Sequence, residues 1–144
     1  MTIAYQHLGI KLQNPLIIGV SGGADSVCLL YLLKKTGFKK IIVAHIDHQI
    51  RKKSGRDALF VKNLAKQYGF PFHLLKKNIP RHAKQKKENI EALGRTVRYE
   101  FFRELEKKYK AAAIITAHHA DDQIETVLLN MIRGSGLKGI AGMK

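Results

Sequence analysis

Leu16-Ile17-Ile18-Gly19-Val20, Ser21-Gly22-Gly23-Ala24-Asp25-Ser26 and Val27-Cys28-Leu29-Leu30-Tyr31-Leu32-Leu33-Lys34 follow one another without a break. The first run is apolar and of strand type, the last is helix-like, and the hexapeptide joins them. Two glycines let the backbone turn sharply and approach an anion, while the helix that follows begins with unpaired amides at its positive dipole end. In that context the hexapeptide reads as a phosphate cradle. The common phosphate loop GxxxxGK(S/T) brings a lysine to the outer phosphates, yet no lysine lies between Ser21 and Leu33, so a different chemistry is indicated. The plain alternative is a strand-to-helix turn in which Ser and Asp cap the helix and the glycines only permit the bend.

Outward from this loop, apolar runs alternate with amphipathic segments. Leu16 to Val20, Ile41 to His45, Phe70 to Leu75 and Ala112 to Ala117 read as short buried strands, rich in β-branched or aromatic residues. A first helix covers Ala24 to Lys35 and stops before Gly37. A second carries Val61, Leu64, Ala65 and Tyr68 on one face and ends at Gly69. A third has the stripe Ile90, Leu93, Val97, Phe101 and Leu105, and a fourth has Ile124, Val127, Leu128 and Met131. Lys76 to Lys87, basic and containing Pro80, reads as an exposed, mobile connection with at most a short helical turn. The order βαβα predicts an α/β fold, a doubly wound, Rossmann-like parallel sheet with helices on both faces and ligands at the carboxyl ends of its strands. Three polar clusters fall at three such ends: Ser21 to Ser26, His45-Ile46-Asp47-His48, and Ala117-His118-His119-Ala120-Asp121-Asp122.

The 144 residues, 45% of them hydrophobic, can build one domain with a real core. Twenty-six Lys and Arg against eleven Asp and Glu give a formal charge of +15. That excess favours polyanionic partners such as RNA, although a solvated basic surface would carry the same charge. The single cysteine, Cys28, makes no internal disulfide and falls in a hydrophobic helix run where burial is expected. With no signal peptide and no apolar stretch of transmembrane length, the expectation is a cytoplasmic protein without a membrane partner.

The string Ser-Gly-Gly-x-Asp-Ser resembles the PP-loop of the N-type ATP pyrophosphatases, which cleave ATP between the α and β phosphates and transfer AMP to a substrate oxygen. Val43-Ala44-His45-Ile46-Asp47-His48-Gln49-Ile50-Arg51, Glu91-Ala92-Leu93-Gly94-Arg95-Thr96-Val97-Arg98-Tyr99 and Ala117 to Thr126 follow at family-like intervals, and Arg133-Gly134-Ser135-Gly136-Leu137-Lys138-Gly139-Ile140-Ala141-Gly142-Met143 closes the series. Together these blocks resemble the tRNA(Ile)-lysidine synthetases. The resemblance implies an adenine nucleotide alpha hydrolase-like fold. It also implies ATP and Mg2+ as cofactors, and an isoleucine tRNA with a CAU anticodon and L-lysine as partners. The implied activity is adenylation of the wobble cytidine before lysine attack. It further implies that residues 1–144 are one PP-loop domain without the family's C-terminal tRNA-binding domains, and exposed surface near the end makes a homodimer an expectation. Asp47 stands where the family more often has Asn, and Gly94 where it more often has Ala.

The resemblance, together with the charge that such a reaction develops, assigns roles by residue. Ser21, Gly22, Gly23, Ala24, Asp25 and Ser26 would bind the phosphates. Asp25 would hold magnesium, with Asp122 as a second carboxylate. Ala44 and His45 would contact the adenosine, although His45 could equally be a satisfied strand-end histidine. Arg95 and Arg98, three residues apart on one helix, are the cations for the developing charge, against an ion pair of Arg95 with Glu91. His118 and Asp122 would lie beside the nucleotide or target base, with Glu125 supporting the loop. A zinc site at His118 and His119 is disfavoured, because adjacent histidines on extended chain diverge. Lys52, Lys53, Arg56, Lys84, Lys86 and Lys87 would touch RNA phosphates. Arg133 either faces the tRNA or serves as a cation at a helix end. Two rival readings are a PP-loop tRNA thiolase, against which the lone Cys28 argues, and a noncatalytic nucleotide and RNA binding module.

Overall fold

The structure, a computed structural model, describes residues 10–50 and 54–117. Four strands, β1 (Leu16–Gly19), β2 (Ile41–Asp47), β3 (Phe72–Lys76) and β4 (Ala113–Thr116), form one sheet in the order β3-β2-β1-β4. Every pairing is parallel, with Leu16 opposite Ile41 and Ala113, and Val43 opposite Phe72. Four helices connect and flank them: α1 (Ala24–Lys35), α2 (Ser54–Tyr68), α3 (Ile79–Lys86) and α4 (Ile90–Tyr109).

Alternate strand residues serve two cores, which is why the strand runs are apolar without interruption. Leu16 and Ile18 of β1, Ile41 and Val43 of β2, and Ile115 of β4 pack with Leu30 and Leu33 of α1 and Val61 and Ala65 of α2. On the opposite face Ile17, Ile42 and Ala44 meet Phe102 and Leu105 of α4. The sheet is therefore doubly wound, with helices on both faces, as the sequence predicts. From β1 the chain steps outward to β2 and β3 and then returns to the far side of β1, so the strand order reverses between β1 and β4. In such sheets the crevice at the reversal, beyond the carboxyl ends, is where ligands bind.

Four expectations are corrected. The stretch Lys76 to Lys87 is not a loose connection, because residues 79–86 form α3. The Asn78 side chain caps that helix by accepting from the Arg81 N–H at 2.9 Å, and Pro80 lies in its first turn, where a missing N–H costs nothing. Ile79 and Ala83 are buried against Leu93 and Val97 of α4. Cys28 is exposed, because the buried positions of α1 are Ser26, Leu30 and Leu33 on the other side of the helix. The buried stripe of α4 runs through Leu93, Gly94, Val97, Phe102 and Leu105, so Phe102 takes the place expected for Phe101 and Ile90 stays exposed. β2 extends two residues further than the sequence reading, to Asp47. The helix expected around Ile124 to Met131 lies outside the described residues.

Gly94 is buried mid-helix without a special conformation. An added Cβ would meet His48 Cε1 at 3.7 Å and Ile79 Cγ2 at 3.9 Å, both ordinary contacts. Gly94→Ala is therefore expected to stabilise the fold by roughly 0.5–1 kcal/mol, the backbone-entropy difference between the two residues in a helix. The readout is the urea midpoint, and a shift to lower urea would contradict the prediction.

Candidate functional site

A cavity of about 820 Å³ opens at the carboxyl ends of β1, β2 and β4, where the strand order reverses. Gly19, Val20 and Ser21 form one wall as β1 passes into the loop. Ala44, Ile46 and His48 come from β2 and its end, and Thr116 and Ala117 from the end of β4. α4 lines it through Glu91, Ala92, Arg95, Arg98 and Phe102, with Asn89 at the start of that helix. The Asn89 side chain accepts from the Glu91 N–H at 2.8 Å and fixes that start.

The loop is held by its own hydroxyls. Ser26 is 2% exposed, and its Oγ donates to the Gly23 carbonyl at 2.8 Å. The Ser21 and Ser26 hydroxyls lie 3.1 Å apart, and Ser21 Oγ accepts from the Gly23 N–H at 3.3 Å. Gly22 sits at φ +94°, a conformation L side chains rarely adopt, with the Asp57 Cβ 3.4 Å from where its own Cβ would be. The N-cap of α1 is Gly23, which makes no side-chain cap, so Ser21 and Ser26 do not cap the helix at that position. Both hydroxyl protons are engaged inside the loop, so the donors it presents to a polyphosphate are backbone N–H groups and the N-terminus of α1.

The predicted site residues divide by location. Ser21, Ala44, Arg95 and Arg98 line the cavity together. Asp25 stands half-buried in the first turn of α1, four residues beyond Ser21. The His45 ring is 3% exposed and serves the loop, because its Nδ1–H donates to the Val20 carbonyl at 2.7 Å just before Ser21. Where the sequence offered Arg95 the Glu91 carboxylate one turn back, the structure gives it Tyr99 one turn on. The Arg95 guanidinium lies 5.3 Å from the Tyr99 ring centroid and donates to the Tyr99 hydroxyl at 3.4 Å. Arg98 is half-buried; burial pulls its pKa below the ordinary value, Tyr99 opposes this and Arg95 adds to it. His118, His119, Asp122, Glu125 and Arg133 lie outside the described residues. Among the described residues no three His, Cys, Asp or Glu side chains gather as metal ligands.

Gly19, His48, Phe102 and Thr116 also line the cavity, and no motif in the sequence marks them individually. A signal existed for His48, which shares a strand-end cluster with His45 and Asp47. Burial first, and then the Arg98 charge, lower the His48 pKa, while Asp47 opposes them and His45 adds to them. Its Nδ1 is buried without a hydrogen-bond partner among the described residues. A histidine whose folded pKa lies below 6.5 is protonated more readily when unfolded, so its contribution to stability is intact above about pH 6.5 and is lost as pH falls. Melting temperature is therefore expected to drop between pH 7 and pH 5, and His48→Gln should flatten that slope. An unchanged slope in the variant would place the titration elsewhere, with His73, also lowered chiefly by burial, the next candidate.

Among the described residues no helix is long and apolar enough to cross a membrane. Comparison with known proteins agrees with the geometry. The chain is 45% identical over 123 residues to the tRNA(Ile)-lysidine synthase of Thermus thermophilus, covering 85% of this chain and 24% of that protein. It is 41% identical over 142 residues to the tRNA(Ile)-lysidine synthase of Bacillus cereus, covering 96% of this chain and 30% of the relative. The chain thus spans less than a third of the length of these curated relatives. Among solved structures it resembles the U34-tRNA thiolase NcsA of Methanococcus maripaludis, with a TM-score of 0.61 at 21% identity, covering 96% of this chain and 49% of that one. It also resembles the NH3-dependent NAD synthetase of Campylobacter jejuni, with a TM-score of 0.60 at 16% identity, covering 86% of this chain and 55% of that one. The PP-loop domain family matches residues 2–144, and with its loop, parallel sheet and switch-point cavity the chain belongs to that family.

Proposed function

We propose that the chain is the ATP-binding, adenylating core of a lysidine-forming tRNA ligase, a single domain that works with tRNA-binding parts beyond it. The observation that carries this reading is the cavity itself, which Ser21 at the start of the phosphate loop lines together with Arg95 and Arg98. Adenylation of a cytidine oxygen breaks the bond between the α and β phosphates and releases pyrophosphate. Negative charge grows on both fragments, so preorganised donors and cations accelerate it. Ser21, Gly22, Gly23, Ala24 and Ser26 would receive the pyrophosphate, and Arg95 and Arg98 the α phosphate. Ala44 would contact the adenosine, while His45, bonded to the Val20 carbonyl, would hold the start of the loop in place. Asp25 would hold magnesium together with phosphate oxygens, which suits an ion that commonly takes one or two carboxylates and keeps its remaining ligands from water and substrate. Magnesium there would neutralise charge on the leaving group. Lysine would then displace AMP to form lysidine, the product that the relatives' names carry.

The test is incubation with α-labelled ATP and magnesium, with and without an isoleucine tRNA carrying a CAU anticodon and lysine, resolving AMP from ADP. AMP that requires the tRNA is expected, and Asp25→Ala should lower its formation by at least about 100-fold, as loss of a charge-stabilising group does. ADP as product would overturn the reading. ATP binding without turnover would indicate a nucleotide-binding module.

A further inference from the structure

Tyr99 does no work in the core. It is 41% exposed, while the buried side of α4 is formed by Leu93, Val97, Phe102 and Leu105. Its neighbour one turn back, Arg95, lines the cavity, as does Ala92 two turns back. Arg103, one turn further on, is exposed. Residues four apart are neighbours on a helix surface, so Arg95, Tyr99 and Arg103 make a strip of cation, ring and cation running outward from the cavity rim. The Arg95 guanidinium covers part of the ring, at 5.3 Å from its centroid, and is tied to the phenol oxygen at 3.4 Å. The ring is thereby oriented while much of its surface stays in water.

We propose that Tyr99, braced by Arg95, is a stacking platform for one unpaired base of the RNA substrate, just outside the pocket that takes the reacting nucleotide. The proposal rests on the RNA-ligase reading above. Aromatic rings and guanidinium planes are the surfaces on which proteins stack splayed bases of single-stranded RNA loops, and the flanking arginines suit the phosphates on either side. The formal charge of +15 supports the same class of partner.

The experiment measures binding of a labelled RNA hairpin with a CAU loop triplet to the 144-residue chain and its variants. The same hairpin is also tested with each loop base removed in turn, and a fully paired duplex of equal charge serves as reference. Tyr99→Ala is expected to weaken binding of the intact hairpin by about 5- to 100-fold, the range for losing one base–aromatic stack. Tyr99→Leu should lose as much, and Tyr99→Trp should keep the affinity. One particular abasic hairpin should bind wild type and Tyr99→Ala equally, because the stack is already gone. The platform is overturned if Tyr99→Leu binds as wild type does, or if Tyr99→Ala loses the same factor on every abasic hairpin. If wild type prefers the hairpin and all Tyr99 variants match it, the platform fails and the RNA reading stands. If wild type binds the hairpin no better than the duplex, both fail.

Discussion

Arg98→Ala is expected to lower kcat/KM for tRNA-dependent AMP formation by about 100- to 1,000-fold, the usual effect of removing one preorganised charge-stabilising donor. The two cavity arginines are not equivalent. Arg95 is exposed, so water screens it. Arg98 is half-buried, so its charge is kept partly out of water, and that burial pulls its pKa down. A cation in such a place interacts more strongly with charge appearing beside it than an exposed one does, because less water intervenes. Arg95→Ala should therefore cost less than Arg98→Ala. Arg98→Lys should recover only part of the rate, since an ammonium cannot offer a planar fork to phosphate oxygens. Initial rates at subsaturating ATP, with thermal melts to show that each variant folds, decide the matter. An Arg98→Ala loss smaller than that of Arg95→Ala would move the charge-stabilising role to the other guanidinium.

The parts of this fold that the sequence disclosed are those fixed locally. The bounds of α1 match because Gly22-Gly23 and Gly37 punctuate it, and the strand runs could be found because a parallel sheet buried on both faces needs apolar residues at every position. α3 was missed for a local reason as well. Only Ile79 and Ala83 are buried, too few to show a period among so many basic residues, and Pro80 reads as a breaker although it sits in a first turn. Cys28 was misplaced because Val27 to Leu33 is apolar all round, and such a run cannot show which side faces the core. Ser26, polar and buried, marks that side better than any apolar neighbour. In the site, the loop and the two arginines were legible as motifs. The pressure of Arg98 on His48 and the closeness of Phe102 to Gly19 were not, because they join distant segments that only the wound sheet brings together.

Gly19→Ala tests that long-range closeness and should damage stability and nucleotide binding together. A Cβ at Gly19 would stand 2.7 Å from Phe102 Cζ and 2.8 Å from Thr116 Cγ2, far inside contact distance. Neither neighbour can retreat at little cost. Phe102 is 3% exposed and wedged among Ile17, Ile42, Ala44 and Leu105, and Thr116 is the residue paired with Gly19 across the β1–β4 ladder. Overpacking of this kind costs about 1–3 kcal/mol, which a urea midpoint resolves. Because Phe102 and Thr116 both line the cavity, whichever one moves reshapes it, and affinity for magnesium–ATP is expected to fall by about tenfold or more, in line with a strain of that size. Phe102→Leu shortens the ring that Cβ would strike. Added to Gly19→Ala, it should destabilise by less than the two single changes summed, since residues in contact are not independent. Strict additivity of the two would show that the steric conflict lies with Thr116, and Thr116→Ser, which deletes the methyl group at 2.8 Å, would then be the variant that restores both the midpoint and the affinity.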